Sequence, residues 1–133
     1  MNTQLKTDPL PAGLHPLALE GIELFNRGRY YEAHDPLEEA WMETQSPERD
    51  LYQGILQIGL AYYQISRGNY RGALKMFKWG QRTLENLGES MMGINITQLI
   101  EDSRAIESIL RDLGDSQVYK FNPGIIKQVP LID

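Results

Sequence analysis

One short pattern occurs twice in this chain, with an offset of 40 residues. The first copy reads Phe-x-Arg-Gly-x-Tyr-x-x-Ala over residues 25–33, and the second reads Ile-x-Arg-Gly-x-Tyr-x-x-Ala over residues 65–73. Glycine commonly ends a helix because it adopts the left-handed backbone conformation without strain. The repeat therefore predicts two helical hairpins with the same corner. The alternative is that unrelated helix–glycine–helix corners have converged on the same residues.

Apolar residues recur at helical spacing in five segments, most of them bounded by proline or glycine. The first helix opens at Pro16. The third, over residues 47–67, is apolar around much of its circumference, which predicts a central position. The fourth runs from Tyr70 to Leu87, and Thr97 caps the fifth. These segments predict an all-α fold, a compact array of about five helices made of helical hairpins with tetratricopeptide-like corners.

The start of the second helix has two interpretations. Asp35, Pro36 and Glu38 form a capping pattern, with a cap residue, a proline at the first helical position and an acid at the third. Alternatively, the helix begins near Tyr30 and bends at Pro36, because proline inside a helix removes a hydrogen bond. We favour the start near Tyr30.

The two ends of the chain differ from the helical domain, which we assign to residues 15–114. Residues 1–14 are polar and contain two prolines, which predicts a flexible N-terminal arm. Residues 115–133 form a tail whose prolines and glycine exclude a long helix, yet the tail is too apolar for a solvated linker. We expect it to pack extended on its own domain or on a partner chain, which would allow a homo-oligomer.

The composition excludes several classes of protein. A chain of 133 residues fits one domain. It has no cysteine, which removes disulfides and thiolate ligands and suits the cytoplasm. No apolar run reaches the length of about 18 residues that a membrane span needs. The net charge of −5 argues against a general nucleic-acid binder, whose affinity comes from neutralising phosphates.

A cluster of polar residues lies on faces that otherwise look buried. His34, Glu38 and Trp41 share one face of the second helix, because positions i, i+4 and i+7 point the same way. Gln53 and Gln57 share a face of the third helix. His34 and Glu38 have the spacing of a metal-binding pair or of a base with its orienting group. Common catalytic zinc sites use three protein ligands, so the pattern alone assigns no metal site.

Two interpretations of this polar cluster stay open. Buried polar groups must be paired, so a bond from His34 to Glu38 or Gln57 would determine how the second and third helices dock. Alternatively, the cluster lines a small-ligand pocket, because a few convergent polar groups in an apolar cavity are typical of binding sites.

Charge is divided between two segments of the chain. Residues 32–50 contain seven acids and one base, whereas residues 65–82 contain five bases and no acid. Four of these bases form one stripe on the fourth helix: Arg71, Lys75, Lys78 and Arg82. Such a stripe can bind phosphate or an acidic partner. The alternatives are that it faces the acidic second helix or is a solvated face.

Several motifs occur in the order typical of one known family. They are Phe25-Asn26-x-Gly-x-Tyr, Glu32-Ala33-His34, Leu37-Glu38-Glu39-x-Trp41, Tyr52-Gln53-Gly54-Ile55-x-Gln57 and Gly68-Asn69-x-x-Gly72-Ala73. Over about residues 17–87 the chain resembles the uncharacterised domain of unknown function 309 family. The resemblance implies a small all-helical fold. It also implies a signature cluster of His34, Glu38, Trp41, Gln53, Gly54 and Gln57, but it supplies no reaction.

These observations favour a non-enzymatic helical binding or assembly module with a structural His34-Glu38-Gln57 polar network. The alternative is a small-ligand or metal-dependent enzyme with a pocket centred on His34 and Glu38. We expect no cofactor, no membrane association and no nucleic-acid partner. The expected partner is an unidentified protein or a second copy of the chain.

Overall fold

A computed structural model describes residues 9–133 and confirms the all-α prediction. Its α-helices are α1 (Pro16–Asn26), α2 (Tyr30–Glu43), α3 (Glu48–Ser66), α4 (Tyr70–Glu85) and α5 (Ile96–Leu113). Two short strands, β1 (Ser90–Met91) and β2 (Ile94–Asn95), form an antiparallel hairpin before α5. Two 3-10 helices, Asp115–Lys120 and Pro123–Ile125, follow it.

Helix α3 lies at the centre of the fold, in agreement with its apolar circumference. It packs against α2 on one side and α4 on the other, while α1 packs on α2 and α5 packs on α4. The buried side chains of all five helices join one hydrophobic cluster. Within residues 9–133, no helix has both the length and the apolar character that crossing a bilayer requires.

The two copies of the repeated pattern form corners with the same hydrogen bonds. The N–H of Gly28 donates to the carbonyl of Phe25, and the N–H of Arg29 donates to the carbonyl of Leu24, both at 2.9 Å. The same two bonds, again at 2.9 Å, recur 40 residues later around Gly68. Both glycines have positive φ angles, +79° and +72°, so α1 and α3 end in the same Schellman motif.

Helix α2 begins at Tyr30, which decides between the two interpretations of its start. Pro36 is buried inside the helix, where it has no N–H to donate to the carbonyl of Glu32. Asp35 therefore lies within the helix rather than at its cap. The capping pattern is outweighed because Ala33 before Pro36, and Leu37 and Ala40 after it, are buried in the core.

The β-hairpin and the start of α5 differ from the sequence predictions. Strands of two residues are too short to show the alternation that identifies a strand. Helix α5 begins at Ile96, one residue before the predicted Thr97 cap. Asn95 is the cap, because its side-chain oxygen accepts the N–H of Gln98 at 3.0 Å.

Part of the predicted N-terminal arm, residues 1–8, lies outside the described residues. The part that is described packs on the domain: Leu14 is 5% exposed and Leu10 contacts the hydrophobic cluster. The packed domain therefore extends in front of α1 at least to Leu10.

The tail, residues 115–133, lies along the helices of its own chain. Phe121 and Val129 are buried, and the last residues pair with strand β2. The N–H of Val129 donates to the side-chain oxygen of Asn26 at 2.8 Å. This bond ties the tail to the first repeated corner, 103 residues earlier in the chain.

Candidate functional site

His34 lies near two carboxylates on the surface of α2. Its Nδ1 is 3.3 Å from Asp35 Oδ1, and its Nε2 is 3.9 Å from Glu38 Oε1. One ligand atom from each of the three residues lies within 4.8 Å of the others. The His34 side chain is 29% exposed, Glu38 47% and Asp35 90%, so this group is open to solvent.

Gln57 does not join this group, which corrects the predicted His34-Glu38-Gln57 network. The side-chain oxygen of Gln57 accepts the hydroxyl of Thr83 on α4 at 3.0 Å. Gln57 therefore helps to dock α3 on α4 rather than on α2. Gln53 is half-buried, one turn earlier on α3. The structure thus divides the predicted polar cluster between two sides of the central helix.

Trp41 stabilises the turn between α2 and α3. Its ring packs on the hydrophobic cluster, and the guanidinium of Arg49 lies 4.9 Å from the ring centre, which is a cation–π contact. Arg49 Nε also donates to the carbonyl of Thr44 at 3.1 Å. The indole Nε1 is buried and has no hydrogen-bond partner among residues 9–133.

The basic stripe lies on the exposed side of α4. Arg71, Lys75, Lys78 and Arg82 are all exposed, and none of them forms an ion pair within the described part of the chain. Because α4 packs between α3 and α5, the stripe does not face the acidic α2. The predicted contact between the basic stripe and the acidic α2 is therefore wrong, and the stripe remains unneutralised on the surface.

A cleft that the sequence patterns did not single out lies where the two repeated corners meet the tail. Its volume is about 800 Å³. The first corner, the second corner and the tail each form one wall. Six of its sixteen lining residues are aromatic, and five of the seven tyrosines in the chain contribute. The aromatic lining residues are Tyr30, Tyr31, Tyr62, Tyr63, Tyr119 and Phe121.

The inner part of this tyrosine cleft is rigidly packed. Tyr30 contacts Phe25 and Tyr62 edge-to-face, with ring centres 5.2 and 5.4 Å apart. Burial raises the pKa of Tyr30 to about 12 and also raises the pKa of Tyr62. Both hydroxyls therefore stay protonated at neutral pH, where they can form hydrogen bonds but cannot act as bases.

The outer part of the cleft is accessible. Tyr31 is 62% exposed and Tyr119 is 76% exposed. The two guanidinium groups at the edge are already engaged: Arg29 forms two 2.6 Å bonds to Glu32, and Arg67 donates to the Tyr63 hydroxyl at 2.8 Å. The cleft thus presents aromatic rings with hydroxyl groups, and Arg67 is a lining cation that pairs with no acid within residues 9–133.

Only part of this cleft could be recognised in the sequence. The repeated corner placed Tyr30 at the start of α2, but the repeat alone assigns it an architectural role. Tyr119 and Phe121 come from the tail, whose position depends on contacts such as the bond from Val129 to Asn26, 103 positions earlier in the chain.

In a comparison with known proteins, one family model covers the residues of the polar cluster and of both repeated corners. Residues 18–76 match the sequence family described as Domain of unknown function (DUF309). An Aquifex aeolicus (strain VF5) protein, described as an uncharacterized protein, is 26% identical over 110 residues. That alignment covers 80% of this chain and 32% of the Aquifex protein, so the chain spans about a third of its relative's length. The resemblance to the domain of unknown function 309 family is thereby confirmed over residues 18–76, which run from α1 into α4.

Proposed function

We propose that this chain is a non-enzymatic helical binding module, and that its tyrosine cleft holds an extended, proline-rich segment of a partner protein. The lining of the cleft is the observation that carries the proposal. Proline-rich segments form a stiff, extended helix that docks in aromatic-lined grooves. Tyrosine suits such a groove because its ring offers apolar contact while its hydroxyl bonds the exposed backbone carbonyls of the peptide.

Charge and protonation determine which segments the cleft can bind. Arg29 and Glu32 neutralise each other, but Arg67 keeps its positive charge because its partner is a tyrosine hydroxyl. The cleft therefore favours a neutral or weakly acidic segment. The raised pKa values of Tyr30 and Tyr62 leave both hydroxyls neutral. A volume of about 800 Å³ is within the range of known ligand sites.

The first prediction concerns the exposed wall of the cleft. Tyr119→Ala is expected to weaken the binding of a proline-rich peptide of about ten residues by about tenfold, since truncating an aromatic anchor typically costs more than 1 kcal/mol. Isothermal titration calorimetry measures this affinity. Trp79→Ala is the matched control, because Trp79 is also exposed but does not line the cleft.

Two results would contradict this function. One is the absence of heat for the proline-rich peptide beyond that of a glycine–serine peptide of equal length. The other is an equal loss of affinity in Tyr119→Ala and Trp79→Ala, since that would place the peptide elsewhere. Circular dichroism of both variants checks that the helices remain folded.

A metal-dependent enzyme centred on His34 and Glu38 is the second candidate function. The approach of His34, Asp35 and Glu38 to within 4.8 Å favours it. This function requires the chain to bind about one equivalent of a divalent metal such as Zn²⁺, a common ion for such ligands. His34→Ala should then abolish binding while His15→Ala preserves it. Calorimetry that detects less than about a tenth of an equivalent in the unaltered chain would exclude this candidate.

The tail and the cellular location belong to the same proposal. The tail supplies Tyr119 and Phe121 to the cleft, so we assign it to the binding site rather than to the pairing of two chains. The chain has no cysteine, so its stability does not depend on disulfides, which are rare in the reducing cytoplasm. This composition is consistent with a cytoplasmic location.

A further inference from the structure

Two exposed helix faces of this chain carry opposite charge. Within residues 9–133, two acids of the first face pair with His34, none pairs with a lysine or arginine, and the bases of the second face form no ion pair. The acidic face belongs to α2, where Asp35 and Glu39 are exposed and Glu38 is half-exposed. The basic face belongs to α4 and consists of Arg71, Lys75, Lys78 and Arg82, all exposed. Because the central α3 separates α2 from α4, the two faces of one molecule cannot pair with each other.

The two faces differ in length. The acidic face, Asp35, Glu38 and Glu39, covers little more than one helical turn, because Glu32 pairs with Arg29 and Glu43 pairs with His15. The basic face runs from Arg71 to Arg82, which is about 16 Å at 1.5 Å per residue. A large exposed apolar side chain accompanies each face.

Met42 is the exposed apolar residue beside the acidic face, and Trp79 is the one beside the basic face. Met42 is 66% exposed and Trp79 is 47% exposed. Exposed tryptophan and methionine are enriched where proteins meet, and a methionine sulfur against an aromatic ring is a favourable contact. Lys75 Nζ lies 5.7 Å from the Trp79 ring centre, so the charge and the apolar surface form one patch on α4.

We infer that the acidic face of α2 on one copy of this chain docks against the basic face of α4 on a second copy. Charge complementarity favours this partner, since both halves of the contact are present in every molecule. The acids beside the basic face do not compete: Glu85 pairs with Arg104, and Glu107 pairs with Arg111. This surface is separate from the tyrosine cleft, so the inference does not depend on the proposed function.

The contact is heterologous, because different faces of the two copies meet. Such a contact leaves one acidic and one basic face free at the ends of each assembly, so it produces chains or rings. The pairs are exposed to solvent and therefore weak and screened by salt. We expect an average mass that keeps rising with protein concentration and does not stop at a dimer.

A charge exchange tests the contact directly by sedimentation equilibrium. One variant reverses the acidic face (Asp35→Lys with Glu39→Lys), and the other reverses the basic face (Lys75→Glu with Lys78→Glu). In about 20 mM salt, where screening is weak, each variant alone is expected to associate at least about tenfold more weakly than the unaltered chain. An equimolar mixture should associate again, because the reversed faces complement each other.

The control variant reverses the charge of two acids that lie away from both faces. Glu20→Lys with Glu23→Lys alters exposed positions on α1 and should leave the association unchanged. A chain that stays monomeric at about 1 mM in low salt overturns the proposal, and binding of polyglutamate by that monomer would identify a foreign acidic partner instead. Association that survives either reversed variant, or a mixture that stays monomeric, also overturns it.

Discussion

Replacing Gly54 by alanine is expected to lower the free energy of unfolding by about 1–3 kcal/mol, the usual cost of overpacking a core. Gly54 lies inside α3, where alanine would otherwise be favoured over glycine by about 1 kcal/mol. An added Cβ, however, would lie only 2.6 Å from Cγ of Leu84 on α4. Cγ is the branch point of a fully buried side chain, so it can move aside only by an unfavourable change of χ1 in the packed core or by a shift of the helix. Urea denaturation measures the loss.

A double-mutant cycle identifies the cause of this loss. Leu84→Ala alone should cost about 2–5 kcal/mol, because it leaves a cavity in the core. In Gly54→Ala with Leu84→Ala, the new methyl group enters part of that cavity. The double variant should therefore be more stable than the sum of the single losses by about 1 kcal/mol or more. Additive losses would show that Gly54 is required for a reason other than contact with Leu84.

Removal of the Asn26 side chain is expected to have the second large effect on stability. Asn26→Ala leaves the N–H of Val129 without its 2.8 Å acceptor, and an unsatisfied buried donor costs about 1–3 kcal/mol. The loss should be concentrated in the tail, because that bond ties the tail to the first corner. Relative to the unaltered chain, hydrogen exchange of the Val129 amide should accelerate more than that of amides in α3.

The repeat provides the control for Asn26. Ser66 occupies the equivalent position in the second corner, and its hydroxyl donates to the carbonyl of Tyr63 in the same helix at 2.6 Å. Ser66→Ala should therefore change stability by no more than about 0.5 kcal/mol. Equal losses in the two variants would mean that the corner, rather than the tail, depends on Asn26.

Local features of the sequence were sufficient to predict the helices and their corners. Gly28 and Gly68 adopt positive φ angles for a reason confined to a few residues, namely that the last turn of a helix needs a left-handed residue to close it. The central position of α3 followed from its apolar circumference. The start of α2 was harder to predict. Pro36 carries a strong local signal for a helix start, but the burial of residues on both sides of it outweighs that signal.

The candidate site was predicted less completely, because side chains on a central helix have neighbours on two sides. His34 and Glu38 are on one helix, so their proximity follows from spacing. Gln57 is four positions from Gln53 on another helix, and the rotation of that helix decides whether it meets α2 or α4. It meets Thr83 of α4, which no spacing within α3 could indicate.

The sequence by itself determined the helical class, the repeated corner, the family resemblance and the division of charge. Each of these follows from periodicity, from the backbone preferences of glycine or from composition, all of which act over a few residues. Only the tertiary structure decided that Asn26 holds the tail, that five tyrosines line one cleft and that the basic stripe of α4 stays exposed. These outcomes depend on contacts between residues that are far apart in the sequence. Which of those residues meet is determined by the packing of the whole core.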